Sequence, residues 1–270
     1  MLLQLSDRAK IFLLMLTAAL MFGGAGCSHV YIPNESALQK TSLPEARNKL
    51  SQSVRGPDGK FSDIYLDGPD IKQINVIGIN VIDCRSIVFV GKDGRKKTFQ
   101  LKDINVEVEN NTGLFGEEMP SVIKIDKYRL YSFIKNKAEF FGDAILALKI
   151  GAVNEDKLEA SFEKAVKESP NSAVNTILSE NVRRYKVQAE GAIRDKSFYE
   201  AADILRQALI IAPLWPEGHF NRAIVLSEVR EFDLAINEMN RYLRLVPDAQ
   251  NARAAQDKIY DWERNVNKQN

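Results

Sequence analysis

The stretch VRRYKVQAEGAIRDKSFYEAADILRQALIIAPLW, residues 182–215, runs directly into PEGHFNRAIVLSEVREFDLAINEMNRYLRLVPDA, residues 216–249, and the two can be laid one over the other. Ala189 recurs as Ala223, Phe198 as Phe232, Ala201 as Ala235, Leu205 as Met239 and Pro213 as Pro247, all at one offset of 34 residues. Self-similarity at such a period marks a small supersecondary unit that cannot bury its apolar face alone, so copies must stack on one another and on further structure at both ends.

These matched residues resemble the tetratricopeptide repeat. That family needs small residues at the eighth and twentieth positions, where two antiparallel helices touch, an aromatic at the turn and a proline at the end. The resemblance implies an all-α superhelix over residues 182–270, two repeats plus a capping helix that covers the last repeat with Ala254, Ile259 and Trp262. It also implies a partner-binding groove at the second, fifth, ninth and twelfth positions of each copy. Those are Arg183, Lys186, Glu190 and Ile193, then Glu217, Phe220, Ile224 and Ser227. Phe220 and Ile224 lie one helical turn apart, which suits either an apolar anchor for a ligand or plain packing against the next helix. Upstream, Leu158, Phe162, Ala165 and Pro170 have the spacing of a repeat's second helix, so residues 151–181 are read as a helical connector carrying a degenerate half-repeat. Its first helix is either 138–150, or that segment belongs only to the preceding module.

From residue 71 to about 132 the pattern changes to short β-branched runs: IKQINVIGINVI, SIVFV, KKTFQL, INVEVE, SVIKID and YRLYSF. Val106 and Val108 alternate with Glu107 and Glu109, and Ile123 and Ile125 with Lys124 and Asp126, as in strands with one buried face. Gly91-Lys92-Asp93-Gly94 separates two runs as a hairpin turn does. An amphipathic helix follows over 136–150, with Phe140, Phe141, Ala144, Ile145 and Leu148 as its apolar stripe. The predicted fold is therefore α+β, a small antiparallel β-barrel or sandwich closed by a helix over 61–150, ahead of the all-α part. The order, and the run 86–104 with its GKDG turn, is similar to the pleckstrin-homology-like fold, whose members bind lipids or peptides. By that resemblance the basic turn Lys92, Arg95, Lys96, Lys97 is a place for phosphate groups, whereas a charge run on a hairpin tip is ordinarily just solvated.

Residues 27–60, with Pro33, Pro44, Gly56, Pro57 and Gly59, read as a tether holding one short helix that starts at Thr41 or Ser42 before Leu43-Pro44-Glu45 and ends near Ser53. Before it, Arg8 and Lys10 precede the apolar run 11–22 and the small residues 23–26, the layout of a signal peptide over 1–26. Gly24-Ala25-Gly26-Cys27 resembles a bacterial lipoprotein box, which makes Cys27 the lipidation site. Gly24 with Gly26 also satisfies the small-x-small rule of ordinary cleavage. Ser28 after the cysteine resembles the signal for the outer membrane, on its periplasmic face. Cys84, between Val81-Ile82 and Ile87-Val88, reads as a buried structural thiol.

Charge excludes one class of partner. Lys and Arg number 37 against 36 for Asp and Glu, so no field favours nucleic acid. Catalysis has little to build on: the only two histidines are His29 and His219, and no metalloprotease, serine-hydrolase or P-loop motif is present, so no metal or cofactor is expected. The sequence thus reads as a non-enzymatic envelope lipoprotein that scaffolds another envelope protein or peptide segment through its groove, with membrane contact through the lipid. The competing readings are a lipid- or cell-wall-binding β-module with the repeats dimerising, and an accessory subunit of an envelope enzyme.

Overall fold

Alternation of apolar and polar residues becomes eight antiparallel strands. They are β1 (Ser28–Tyr31), β2 (Ile64–Gly68), β3 (Ile71–Ile82), β4 (Ser86–Gly91), β5 (Lys96–Gln100), β6 (Val106–Asn111), β7 (Ser121–Ile125) and β8 (Tyr128–Ser132). The computed structural model describes residues 28–41, 43–55, 64–82, 85–111, 121–132, 135–169 and 178–269. All strands join one sheet in the order β1-β6-β7-β8-β2-β3-β4-β5. The β4–β5 hairpin turns at the expected residues, with Gly94 at φ 82°, a conformation that glycine adopts without steric cost.

The sheet is open. The barrel implied by the pleckstrin-homology-like resemblance does not form: β1 and β5 are the two edges and do not pair with each other. Closure needs strand tilt and stagger to match around the whole circuit. Here the inner face, with Leu66, Ile74, Ile87, Phe89, Ile123, Ile125 and Leu130 essentially inaccessible, is part of one continuous core with the helices.

The helices are α1 (Glu35–Lys40), α2 (Leu43–Ser53), α3 (Lys135–Glu168), α4 (Glu180–Arg194), α5 (Phe198–Ile211), α6 (Pro216–Glu228), α7 (Phe232–Leu245) and α8 (Ala252–Gln269). Residues 28–54 are accordingly no free tether. β1 pairs along β6, and α2, the short helix expected there, buries Leu43, Ala46 and Leu50 against α3. Gly151 marks that contact, since a Cβ there would lie 2.2 Å from Leu43 Cδ1.

α3 is one unbroken helix of 34 residues, about 50 Å long. The expected half-repeat hairpin, with helices at 138–150 and 155–170, is therefore not formed. Phe141, Ala144, Ile145, Leu148, Ala152, Leu158 and Phe162 make one buried stripe along α3. Its first half lies on β6, β7 and β8, where Gly142 lets Val108 approach to 2.4 Å from the position of a Cβ. Its second half meets α5, α6 and α7.

The five helices α4–α8 pack in succession, and the α4–α5 and α6–α7 turns have the same geometry. Lys196 (φ 59°) and Arg230 (φ 62°), 34 residues apart, both take the left-handed conformation. Ser197 N–H donates to Ala192 O at 2.8 Å, and Glu231 N–H donates to Leu226 O at 2.9 Å. The period seen in the side chains is thus present in the backbone. Ala189, Ala201, Ala223, Ala235 and Met239 are all buried. α8 covers α7 with Ala255, Ile259 and Trp262; Ala254, expected in that role, is exposed, because 255, 259 and 262 share one helical face.

Candidate functional site

The groove residues sit on the first helix of each copy, α4 and α6. Arg183, Glu190 and Glu217 are exposed, while Lys186, Ile193, Phe220, Ile224 and Ser227 are half-buried. Lys186 Nζ bonds Glu217 Oε1 at 2.8 Å, which joins the two copies across the groove. An exposed pair of this kind contributes roughly 0–1 kcal/mol, so a charged ligand can replace it at little cost. Ser227 Oγ donates to Ile224 O at 2.7 Å, closing on its own helix rather than into the groove. Phe220 stacks edge-on against Tyr242 of α7, ring centroids 5.1 Å apart. Tyr242 OH donates to Asn251 Oδ1 at 2.5 Å.

Phe220 therefore has one side packed and one side open. The open side borders a cavity of about 570 Å³ lined by Pro216, Glu217, Phe220, Tyr242, Leu245 and Val246 among others. The residue is thus partly core and partly exposed. The cavity is mainly apolar, with carboxylates of Glu217 and Asp248 on its lining, which suits an apolar side chain beside a cation.

The opposite face of α6 is taken. At about 100° per residue, the fourth and seventh positions, His219 and Arg222, point roughly away from the groove positions. There α3 docks through charge. Arg222 reaches Glu155 at 2.5 Å and also pairs with Glu238; its Nε donates to Ala202 O at 3.2 Å. Arg241 bonds Glu238 at 2.7 Å and Glu159 at 2.6 Å, and Arg244 meets Glu163 at 2.5 Å. Glu155, Glu159 and Glu163 are one turn apart on α3, so each successive turn of that helix meets one arginine of the array.

Glu238 and Arg222 are about 1–3% exposed at their side chains. Burial pushes the Glu238 carboxyl up, but Arg222, His219 and Arg241 outweigh it and hold the group well below the usual carboxylate range. Arg222 is raised despite burial by the same two carboxylates, Glu155 and Glu238. His219, fully buried, has Nδ1 2.5 Å from Glu238 Oε2 and Nε2 2.8 Å from Pro213 O, with Phe162 of α3 edge-on at 5.3 Å. Both ring nitrogens are engaged, so the residue is a packing and orienting group.

A second charged contact holds α2. Arg47 pairs with Glu231 at 2.5 Å and Asp233 at 3.3 Å, in the turn between α6 and α7. Burial pushes the Glu231 carboxyl up to about 7; Arg47 opposes this, and the nearby Asp233 and Glu155 carboxylates add to it. None of these buried charges was singled out from the sequence. The available signal was that Arg222, Glu238 and Arg241 stand on otherwise apolar helix faces.

In the β-module, the basic turn is partly committed. Lys97 Nζ bonds Asp70 at 2.7 Å and also contacts Tyr128 OH, and Arg95 is held by Asp93 and by the carbonyls of Lys72 and Gln73. Lys92 and Lys96 remain exposed. Glu107 is exposed and Glu109 pairs with Lys124, as expected of a wet face. Cys27 and Cys84 lie outside the described residues. Among the described residues, no group of His, Cys, Asp and Glu is placed to hold a metal ion, and no helix is long and apolar enough to cross a membrane. A comparison with protein-family models and with curated proteins finds no match.

Proposed function

We propose that this protein is a non-catalytic scaffold of the bacterial envelope. In this reading it is lipid-anchored at Cys27, and its α4–α8 array is a tetratricopeptide unit that captures an extended segment of another envelope protein. The observation that carries the reading is the asymmetry of α6. One face is filled by the ion network with α3, while on the other Glu217 and the half-buried Phe220 line an apolar cavity. Folds of stacked helical hairpins present such faces for binding. The outer membrane, reached through the Ser28 signal, is the expected site of anchoring.

The test is affinity capture from detergent-solubilised envelope, comparing wild type with Phe220→Ala plus Lys186→Glu after circular dichroism shows both to be equally helical. A partner retained by wild type and lost by the variant supports the groove. A partner retained equally by both removes the groove from the function.

A further inference from the structure

Ile32 is 83% exposed and Val30 47% exposed, both in the short stretch directly after residue 27. Ile32 borders a groove of about 750 Å³ whose floor is one side of α3, with Leu146, Ile150 and Val153, and whose charged lining residues, among the described ones, are Lys149 and Lys157. Lys149 Nζ donates to Ile104 O at 2.7 Å, which keeps its charge at the rim, and Lys157 is exposed. On a helix turning about 100° per residue, 146, 149, 150, 153 and 157 share one side, while Glu155, Glu159 and Phe162, which meet the array, fall on the other.

We propose that this side of α3, together with Ile32, rests on the anionic headgroup surface of the membrane that holds residue 27. The inference builds on the reading of Cys27 as the anchor. Two observations choose the bilayer as occupant. First, β1 starts at Ser28, and a strand advances about 3.3 Å per residue, so Ile32 lies within roughly 17 Å of residue 27 and cannot stand far from an anchored lipid. Second, apolar side chains flanked by lysines, with no acid among the described lining residues, fit the headgroup region, where aliphatic groups enter and ammonium groups meet phosphates. The layering then follows: membrane, α3, the charged docking face of the array, and last the groove of α4 and α6, which opens away from the anchoring membrane.

The test uses the mature chain from residue 27 in a Cys84→Ala background, its Cys27 thiol coupled to a maleimide-headgroup lipid in phosphatidylcholine–phosphatidylglycerol vesicles with brominated acyl chains. This tethers the protein whether or not the cell lipidates it, and the mass of the cell-made N-terminal peptide decides the anchor reading separately. The native Trp215 and Trp262 both lie buried in the array and serve as the distant reference. Added emission from Ile32→Trp or Val153→Trp is expected to fall at least twofold on brominated vesicles, and that from Val187→Trp, on exposed α4, to stay unchanged. Equal quenching at all three sites, or none at residues 32 and 153, overturns the proposal.

Discussion

The two halves of α3 are held by different physics. Residues 138–148 lie on the sheet mainly through Ala138, Phe141, Ala144, Ile145 and Leu148, with Gly142 setting the spacing. Two neutral-donor hydrogen bonds, from Asn110 Nδ2 to Glu139 Oε1 at 2.5 Å and from Tyr31 OH to Asp143 Oδ2 at 3.1 Å, flank this apolar contact, and no ion pair does so among the described residues. From 155 onward the same face of the helix carries Glu155 and Glu159 among Leu158 and Phe162, and it is met by Arg222 and Arg241. Apolar burial is non-directional and tolerates sliding. A row of glutamates opposite a row of arginines is satisfied in one register only, so the charged half fixes how the array sits on the sheet module, at a desolvation cost that apolar residues would not incur.

The largest effect should come from breaking the charged half. Glu238→Ala leaves Arg222 and Arg241 short of a partner and is expected to cost about 3–5 kcal/mol in denaturant unfolding. Hydrogen exchange should show the loss concentrated in α6 and α7; equal loss in β6–β8 would mean that the two halves are one cooperative unit. On the apolar half, Gly142→Val forces a side chain into Val108 and should cost about 1–3 kcal/mol while leaving the array helices intact by the same measurement.

The contact of α2 with the array gives a pH signature. Glu231 has its folded pKa raised to about 7 from an ordinary 4.5, so the folded state binds more protons than the unfolded one between those values. The associated stability is complete below about 4.5 and is lost as pH rises from there through about 7, on the order of 3 kcal/mol in all. The melting temperature of the wild type should therefore fall between about pH 4.5 and 7 more steeply than that of Glu231→Gln. Parallel profiles would remove Glu231 as the source. Smallest of all, Arg244→Ala breaks a pair in which both side chains are 49% exposed, and should change stability by no more than about 1 kcal/mol.

Legibility in the sequence followed locality. Strands β3 to β8 and the GKDG turn were readable because period-two alternation is written in consecutive residues. β1 was not, since four residues, SHVY, carry too little pattern and owe their conformation to pairing with β6. α3 did not read as one helix because Leu158, Phe162, Ala165 and Pro170 have the spacing of a repeat's second helix, and Glu155 and Glu159 stand beside its apolar stripe. Only the arginines of a distant segment explain acids at those positions. How far Phe220 is exposed was not legible, because it is half-covered by Tyr242, a contact between two helices.

By itself, the sequence determined the 34-residue period, the helix pairs it generates, the strand alternation and the near-neutral charge, because each is a relation among neighbouring residues or a sum over all of them. Tertiary structure alone decided that the sheet stays open, that residues 28–54 are built into the body and that α3 runs unbroken between sheet and array. Those outcomes depend on which surfaces meet across the chain, and burial energies at such contacts are set by partners far away in sequence.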